Sequence, residues 1–256
     1  MRLYAGVAVG LLLPAALGVE LKDGGILRGP RADKRIALEF TAHEFAEGAD
    51  VVLETLARRG AKASFFLTGD FLRRPEFVKV VERIRDDGHY LGPHSDKHLL
   101  FCGWGAEKPT LVDRQAFVAD LLGNLDALER HGVARRAVRY WVPAYEQYNP
   151  EVSRWSEELG LQLVNFTPGT RSNADYTGEA DANFVSSERI VRSILEREES
   201  GPDGLNGFLL LMHLGAGPGR RDKLPARLGE LLDRLTERGY SFVRVDTLLD
   251  DADAQR

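Results

Sequence analysis

A single cysteine, Cys102, stands in the 256 residues, so no intrachain disulfide is available to hold this fold. A packed core, helped by any bound metal, has to supply all of the stability. Nor is there a low-complexity tract or a cluster of basic residues. With a formal charge of −5 and scattered Lys and Arg, the chain lacks the electrostatic footprint of a nucleic-acid partner. No Gly-rich fingerprint follows the first strand-like run, which excludes the usual dinucleotide and phosphate cradles. Past the first 18 residues there is no second apolar run of spanning length.

Those first residues are distinctive in their own right. Arg2 precedes an apolar run from Leu3 to Leu17 that closes on Ala16 and Gly18, the layout of a secretory signal. The run falls short of the ~20 residues of a spanning helix. The expectation is therefore cleavage after Gly18, export to a periplasmic or extracellular space, and no stable membrane insertion afterwards. The mature chain is expected to be one domain, residues 19–256, with a charge of −6 once Arg2 is removed from the −5 total.

Short apolar runs alternate with amphipathic patterns through that domain. Strands are predicted at Arg35–Phe40, Lys62–Leu67, Tyr90–Pro93, Val138–Val142, Leu161–Phe166, Gly207–Met212 and Ser241–Val245. Helices are predicted at Ala49–Arg59, Pro75–Asp87, Asp113–Arg130, Glu151–Leu159, Ser187–Ser200 and Lys223–Arg238. The third helix is the clearest, with Phe117, Leu121, Leu125 and Leu128 at helical spacing behind a capping Asp113. Gly60, Gly88, Gly132, Gly160 and Gly239 fall where such helices should stop. Parallel strands need crossover helices, so about seven strand–helix repeats imply an α/β fold, a distorted parallel (β/α) barrel of about seven strands.

In such barrels the chemistry gathers at the C-terminal ends of the strands. His43, His94, His98 and His213 all fall there, whereas His89 and His131 lie near helix ends. Glu44, Asp70, Tyr145 and Glu146 join them, and the long loop Thr167–Tyr176 carries Asp175. His94-Ser-Asp-Lys-His98 is the sharpest local signal: two imidazoles four residues apart meet on one face of a helical turn, which suits a divalent ion. Ser95 occupies the position where a zinc protease of the H-E-x-x-H type carries glutamate. His213, closing an apolar run at the same rim, is placed to protonate a leaving amine or alkoxide.

With these residues in view, the chain resembles the polysaccharide deacetylases of the NodB-like family, carbohydrate esterase family 4. The resemblance covers about Arg35 to Leu249. It rests on Lys62-Ala-Ser-Phe-Phe66, on Asp87-Gly-His-Tyr-Leu-Gly-Pro-His-Ser-Asp-Lys-His98 and on Leu209-Leu-Leu-Met-His213. It implies a metal held by an aspartate and two histidines, matched here by His94 and His98. It also implies a general acid at His213, and a tyrosine, Tyr145, beside the oxyanion site. The first motif departs from the family: where two adjacent aspartates are expected, this chain reads Glu39-Phe-Thr-Ala-His-Glu44. Counting from the strand puts Thr41 and Ala42 there. Counting back from Lys62 puts Ala42 and His43 there, with His43 as a nitrogen ligand in place of aspartate, since three histidines and a water make a workable zinc site. The family's arginine in the fourth-strand segment is also missing, with Val142 near its place.

The resulting expectation is a hydrolase of carbon–nitrogen bonds other than peptide bonds. It would remove acetyl or other acyl groups, N-acetyl first, from a polysaccharide or oligosaccharide. A divalent ion, zinc with cobalt or nickel as alternatives, would be held by His43, His94 and His98. It would acidify a water and polarise the acyl carbonyl. Glu44 is the first-ranked base, with Asp70 and Glu39 as alternatives; His213 is the acid, and a backbone N–H near Tyr145 serves the oxyanion. Trp104, Trp141, Tyr145, Tyr148 and Tyr176 are expected in rim loops, where they would stack on sugar rings. Two rival readings stand beside this one: a barrel that has lost its aspartates and only binds glycan, and a deacylase of some other amide or ester.

Overall fold

The computed structural model describes residues 18–254, with side chains to residue 250, so residues 1–17 of the expected signal segment lie outside the described part. Nine strands run through it: β1 (Glu20–Lys22), β2 (Gly25–Arg28), β3 (Arg35–Ala42), β4 (Ser64–Leu67), β5 (Tyr90–Pro93), β6 (Tyr140–Trp141), β7 (Gln162–Leu163), β8 (Phe208–His213) and β9 (Ser241–Val243). The helices of eight or more residues are α1 (Ala49–Arg58), α2 (Val78–Asp86), α3 (Arg114–Arg130), α4 (Pro150–Glu158), α5 (Ser187–Glu199), α6 (Pro225–Glu237) and α7 (Val245–Ala254).

Strand β3 explains the architecture. Its sequence is nearly continuous apolar, as a strand covered on both faces must be. Ile36, Leu38 and Phe40 pack outward among the helices, in the large core that also holds Leu53, Phe117 and Leu231. Ala37 faces inward, where Ile26, Phe66, Tyr90, Tyr140, Val142, Val164, Leu209 and Leu211 fill the barrel. Because side chains alternate along a strand, Glu39 and Thr41 share the inward face with Ala37. On β8 the matching inward positions Leu209 and Leu211 are apolar, and on β3 the polar Glu39 and Thr41 come toward the C-terminal end.

The sheet runs β1-β2-β8-β3-β4-β5, with β9 also paired to β3 and with β6 and β7 forming a separate parallel pair. Single contacts bridge the gaps. Val142 N–H donates to Pro93 O at 3.2 Å, joining β6 to β5, and an isolated Ile26–Val164 bridge joins β7 to β2. Strands 2, 8, 3, 4, 5, 6 and 7 therefore form a ring that is thinly sewn in two places, a distorted seven-stranded barrel. The pairing departs from the all-parallel expectation where β2 meets β8, antiparallel through Arg28 and Phe208, while the Ile26–Val164 bridge is parallel. The β1–β2 hairpin carries Asp23 and Gly24 at its turn and was not legible as a strand pair, because its arms are only three and four residues long. Helix α7 has no counterpart among the predicted helices; only its first residue, Val245, falls in a predicted element, the strand Ser241–Val245.

Helix α3 follows its prediction closely. Asp113 accepts a hydrogen bond from Ala116 N–H and caps the helix, and Phe117, Leu121 and Leu128 are fully buried. Each such side chain contributes roughly 1.5–3 kcal/mol by leaving water. After its last residue the chain turns at Gly132 with φ +81°, a conformation glycine adopts without strain. No helix among the described residues is long and apolar enough to cross a membrane.

Candidate functional site

At the C-terminal end of the barrel the apolar filling stops and a cavity of about 360 Å³ opens. Strand register sets its floor. Thr41 pairs with His213 across β3 and β8, and Thr41 and Ala42 are the last residues of β3. Both line the cavity together with His43, His94, His98 and His213, so the tertiary fold brings all four rim histidines into one space. His89 and His131 are elsewhere, as expected. His89 accepts from Ala63 N–H, and burial pushes its pKa down to about 4, while His131 sits against Leu72 O. A larger hollow of about 450 Å³ between α5 and α6 is lined by alternating Glu and Arg and contains no histidine.

The segment His94–His98 is not a helical turn. Ser95 and His98 adopt positive φ (69° and 55°), and the loop is held from α3 instead. Asn124 accepts from His94 N–H at 2.8 Å, and the Asp120 carboxylate accepts from Asp96 and Lys97 N–H at 2.8 and 3.0 Å. The two rings nevertheless face one another, 5.3 Å apart and inclined by 56°. His94 Nδ1 lies 3.0 Å from Val142 O, so a proton on Nδ1 leaves Nε2 with its lone pair toward the cavity. Burial, first, and the neighbouring imidazoles hold His94 well below its ordinary pKa and His98 at about 4. Both are neutral at neutral pH, the state a metal ligand requires.

His43 does not complete that pair. Its ring stacks on His98 at 4.5 Å with an interplanar angle of 9°, and its Nδ1 is 3.1 Å from Thr68 Oγ1. An imidazole binds an ion in its own ring plane, about 2.0–2.1 Å from the nitrogen, so two parallel stacked rings cannot both address one ion. Among the described residues no group of three or more His, Cys, Asp or Glu is arranged to hold a metal. In this orientation His43 and His98 do not address one point, and His94 and His98 are the two imidazoles that face each other at the cavity.

His213 gains a partner that spacing along the chain could not reveal. Its Nδ1 is 2.7 Å from Asp175 Oδ1, and its backbone N–H donates to Asp175 Oδ2 at 2.9 Å. Burial opposes charge on His213, but Asp175, through its charge and this hydrogen bond, and Glu146 more distantly, overcome it and raise the pKa. His213 therefore keeps its proton to higher pH than a free histidine, with Nε2 left to face a reactant. Asp175 and Tyr176 owe their place to Arg220, which is 1% exposed. Its guanidinium donates to Asp222 O, Thr177 O and Val185 O at 2.6, 2.9 and 2.9 Å and so ties down the loop that carries them.

The candidate bases separate clearly. Asp70 is engaged by Arg73 at 2.8 Å and by Lys97, which together hold its pKa down against burial, and it does not line the cavity. Glu39 is fully buried one layer beneath Thr41; burial, with nearby Glu146 adding to it, pushes its pKa up to about 8. Glu44 lines the cavity at its exposed lip, where its carbonyl accepts from Arg74.

Of the aromatics, Trp104, Tyr145 and Tyr176 line the cavity and are exposed, and Tyr145 packs on His98 at 4.4 Å. Trp141 and Tyr148 correct the expectation: Trp141 is on the outward face of β6 against Phe101 and Phe117, and Tyr148 is buried with its hydroxyl on Lys22 O.

A sequence model described as polysaccharide deacetylase matches residues 28–164, more than half of the chain. A peptidoglycan-N-acetylglucosamine deacetylase of Bacillus cereus is 23% identical over 222 residues, covering 86% of this chain and 70% of the relative. One of Listeria monocytogenes is 26% identical over 220 residues, covering 85% of this chain but only 39% of the relative. Among solved structures, a peptidoglycan N-acetylglucosamine deacetylase bound to a hydroxamate-type ligand superposes with a TM-score of 0.70 at 21% identity, covering 88% of this chain and 92% of that one. A family 4 pseudoenzyme from Bacillus anthracis gives 0.69 at 18% identity, covering 90% and 70%. A family 4 acetyl xylan esterase from Clostridium thermocellum, which holds a cobalt ion, gives 0.63 at 18%, covering 84% and 90%. These structural likenesses establish the barrel fold.

Proposed function

The chain belongs to the polysaccharide deacetylase family, whose deacetylases are metal-dependent, and on that premise we propose that it is a hydrolase of carbon–nitrogen bonds other than peptide bonds that removes N-acetyl groups from a polysaccharide or oligosaccharide. The observation that carries this reading is the Asp175–His213 pair, which opens on the same 360 Å³ cavity as the neutral His94 and His98. His94 and His98 would hold a divalent ion, zinc first with cobalt or nickel as alternatives, and such an ion polarises an acyl carbonyl.

The chain's own groups account for the rest. Asp175 keeps the His213 proton on Nδ1 and stabilises its cation, so Nε2 can protonate the departing nitrogen. The backbone N–H of Tyr145 is the proposed donor to the oxyanion. Trp104 and Tyr176 flank the opening and offer flat faces for sugar rings. An exported location, periplasmic or extracellular, fits the apolar leader and the peptidoglycan named in the curated relatives.

One feature favours a second reading, a barrel that binds glycan without cleaving it. Thr41 and Ala42 end β3 where a carboxylate base and ligand would stand, and neither can serve. Acetate release from acetylated chito-oligosaccharides and acetylated xylan, with zinc or cobalt added, separates the two readings. Deacetylation predicts metal-stimulated release that His213→Ala abolishes. Glycan binding by calorimetry, with release at background in both proteins, establishes the second reading instead.

A further inference from the structure

The carboxylates that line the cavity are Glu44 and Glu146. Neither Thr41 nor Ala42 beside them has a side chain basic enough to take a proton from water. Glu44 stands at the exposed lip of the cavity. Glu146 is held very differently. Its backbone adopts φ +52° directly after Tyr145 at +60°, a left-handed conformation that residues with a Cβ disfavour, and here it occurs twice in succession. The strained turn is locked from both sides: Glu146 N–H donates to Pro143 O at 3.0 Å, and Glu146 O accepts from Asn165 Nδ2 at 2.7 Å. Its result is a partly buried carboxyl group that faces His213 of β8, Asp175 of the loop after β7 and Glu39 of β3.

Resting on the deacetylase reading above, we propose that Glu146, contributed by the loop after β6 rather than by the end of β3, is the general base of this cavity. The water O–H bond breaks with its proton passing to the Glu146 carboxylate, as the water oxygen bonds to the acyl carbon. The carbon–nitrogen bond then breaks as His213 gives its Nε2 proton to the departing nitrogen. The products are a carboxylic acid and an amine, and the proton on Glu146 and the vacancy on His213 are reset by exchange with solvent. Burial, modulated by the opposing charges of His213 and Asp175, raises Glu146 above the ordinary glutamate range, toward the working pH that suits a base. Glu39 beneath it stays neutral below about pH 8, so the negative charge at this level belongs to Glu146.

The experiment is a kcat/KM–pH profile on N-acetylated chito-oligosaccharide with added zinc, for the wild type, Glu146→Gln, Glu146→Gly and Glu44→Gln. The expected wild-type profile is a bell, with Glu146 setting the acid limb and His213 the alkaline one. Glu146→Gln and Glu146→Gly lose the acid limb and at least ~100-fold in rate. The glycine variant, relieved of its left-handed strain, melts no lower than the wild type, so its loss is not a failure to fold. Glu44→Gln keeps both limbs. Retention of the acid limb in either Glu146 variant, or its loss in Glu44→Gln, overturns this assignment while leaving deacetylation intact. A wild type that releases no acetate refutes both.

Discussion

Replacing Glu39 with glutamine should change how stability depends on pH, by an amount the structure allows one to work out. The carboxyl group is fully buried and neither of its oxygens has a hydrogen-bond partner, so its pKa rises from 4.5 in the unfolded chain to about 8 in the fold. The sign follows directly. Below pH ~4.5 both states hold the proton and there is no penalty; between ~4.5 and ~8 the unfolded state releases it and the folded state does not, so stability falls as pH rises. Each pH unit inside that window costs up to about 1.36 kcal/mol, and integration from pH 5 to 7 gives a loss of about 2.5 kcal/mol. For a chain of this size that corresponds to roughly 5–10 °C in melting temperature. Glutamine has nearly the same shape and does not titrate, so Glu39→Gln removes the slope and leaves only a constant offset. Thermal melts of both proteins at pH 5, 6, 7 and 8, at fixed ionic strength, supply the test. The difference between the two curves is the quantity to read, because it cancels other groups, such as His89, whose depressed pKa acts in the opposite direction. Parallel curves would refute the view that Glu39 is held neutral in the barrel.

Asp175→Asn should lower the pKa of His213, moving the alkaline limb of the rate profile to lower pH, and should slow acetate release by ~10²–10⁴-fold; an unchanged alkaline limb would separate Asp175 from the proton donor. Arg220→Met strands the buried carbonyls of Thr177 and Val185, each worth ~1–3 kcal/mol when left unpaired. Urea unfolding is expected to report a loss of at least ~2 kcal/mol, together with a raised KM, as the loop bearing Tyr176 loosens. Cobalt titration followed by visible absorbance should show binding abolished in His98→Ala and retained in His43→Ala. Loss in His43→Ala would mean that its ring turns away from Thr68 to reach the ion.

Much of the site was legible because strand ends are legible. An apolar run of buried strand has to stop where polar residues can be tolerated, so His94, His98 and His213 mark one rim in the sequence itself. The misreadings share a different cause. Trp141 is expected in a rim loop, yet it lies on β6 and strand parity turns it outward to Phe117. The His94–His98 spacing suggests a helical turn, and the rings meet instead through a loop pinned by Asn124 and Asp120, which bond to it from 23–30 positions away on α3. Asp175, Arg220 and Thr68 carry no local signature at all. Each acquires its role only through a partner distant in sequence.

By itself, then, the sequence determined the alternation of strands and helices, the rim on which the chemistry sits, the family, and the absence of aspartates from the end of β3. The first two follow from periodicity and residue type, which are local, and the last two from short motifs that resemble a known family. Tertiary structure alone decided that His43 lies flat on His98, that Asp175 rather than a nearer acid supports His213, and that Glu146 points inward on a strained turn. Such facts depend on ring orientation, strand register and backbone handedness across a closed barrel, where a rotation of one side chain decides between a ligand and a stacking partner.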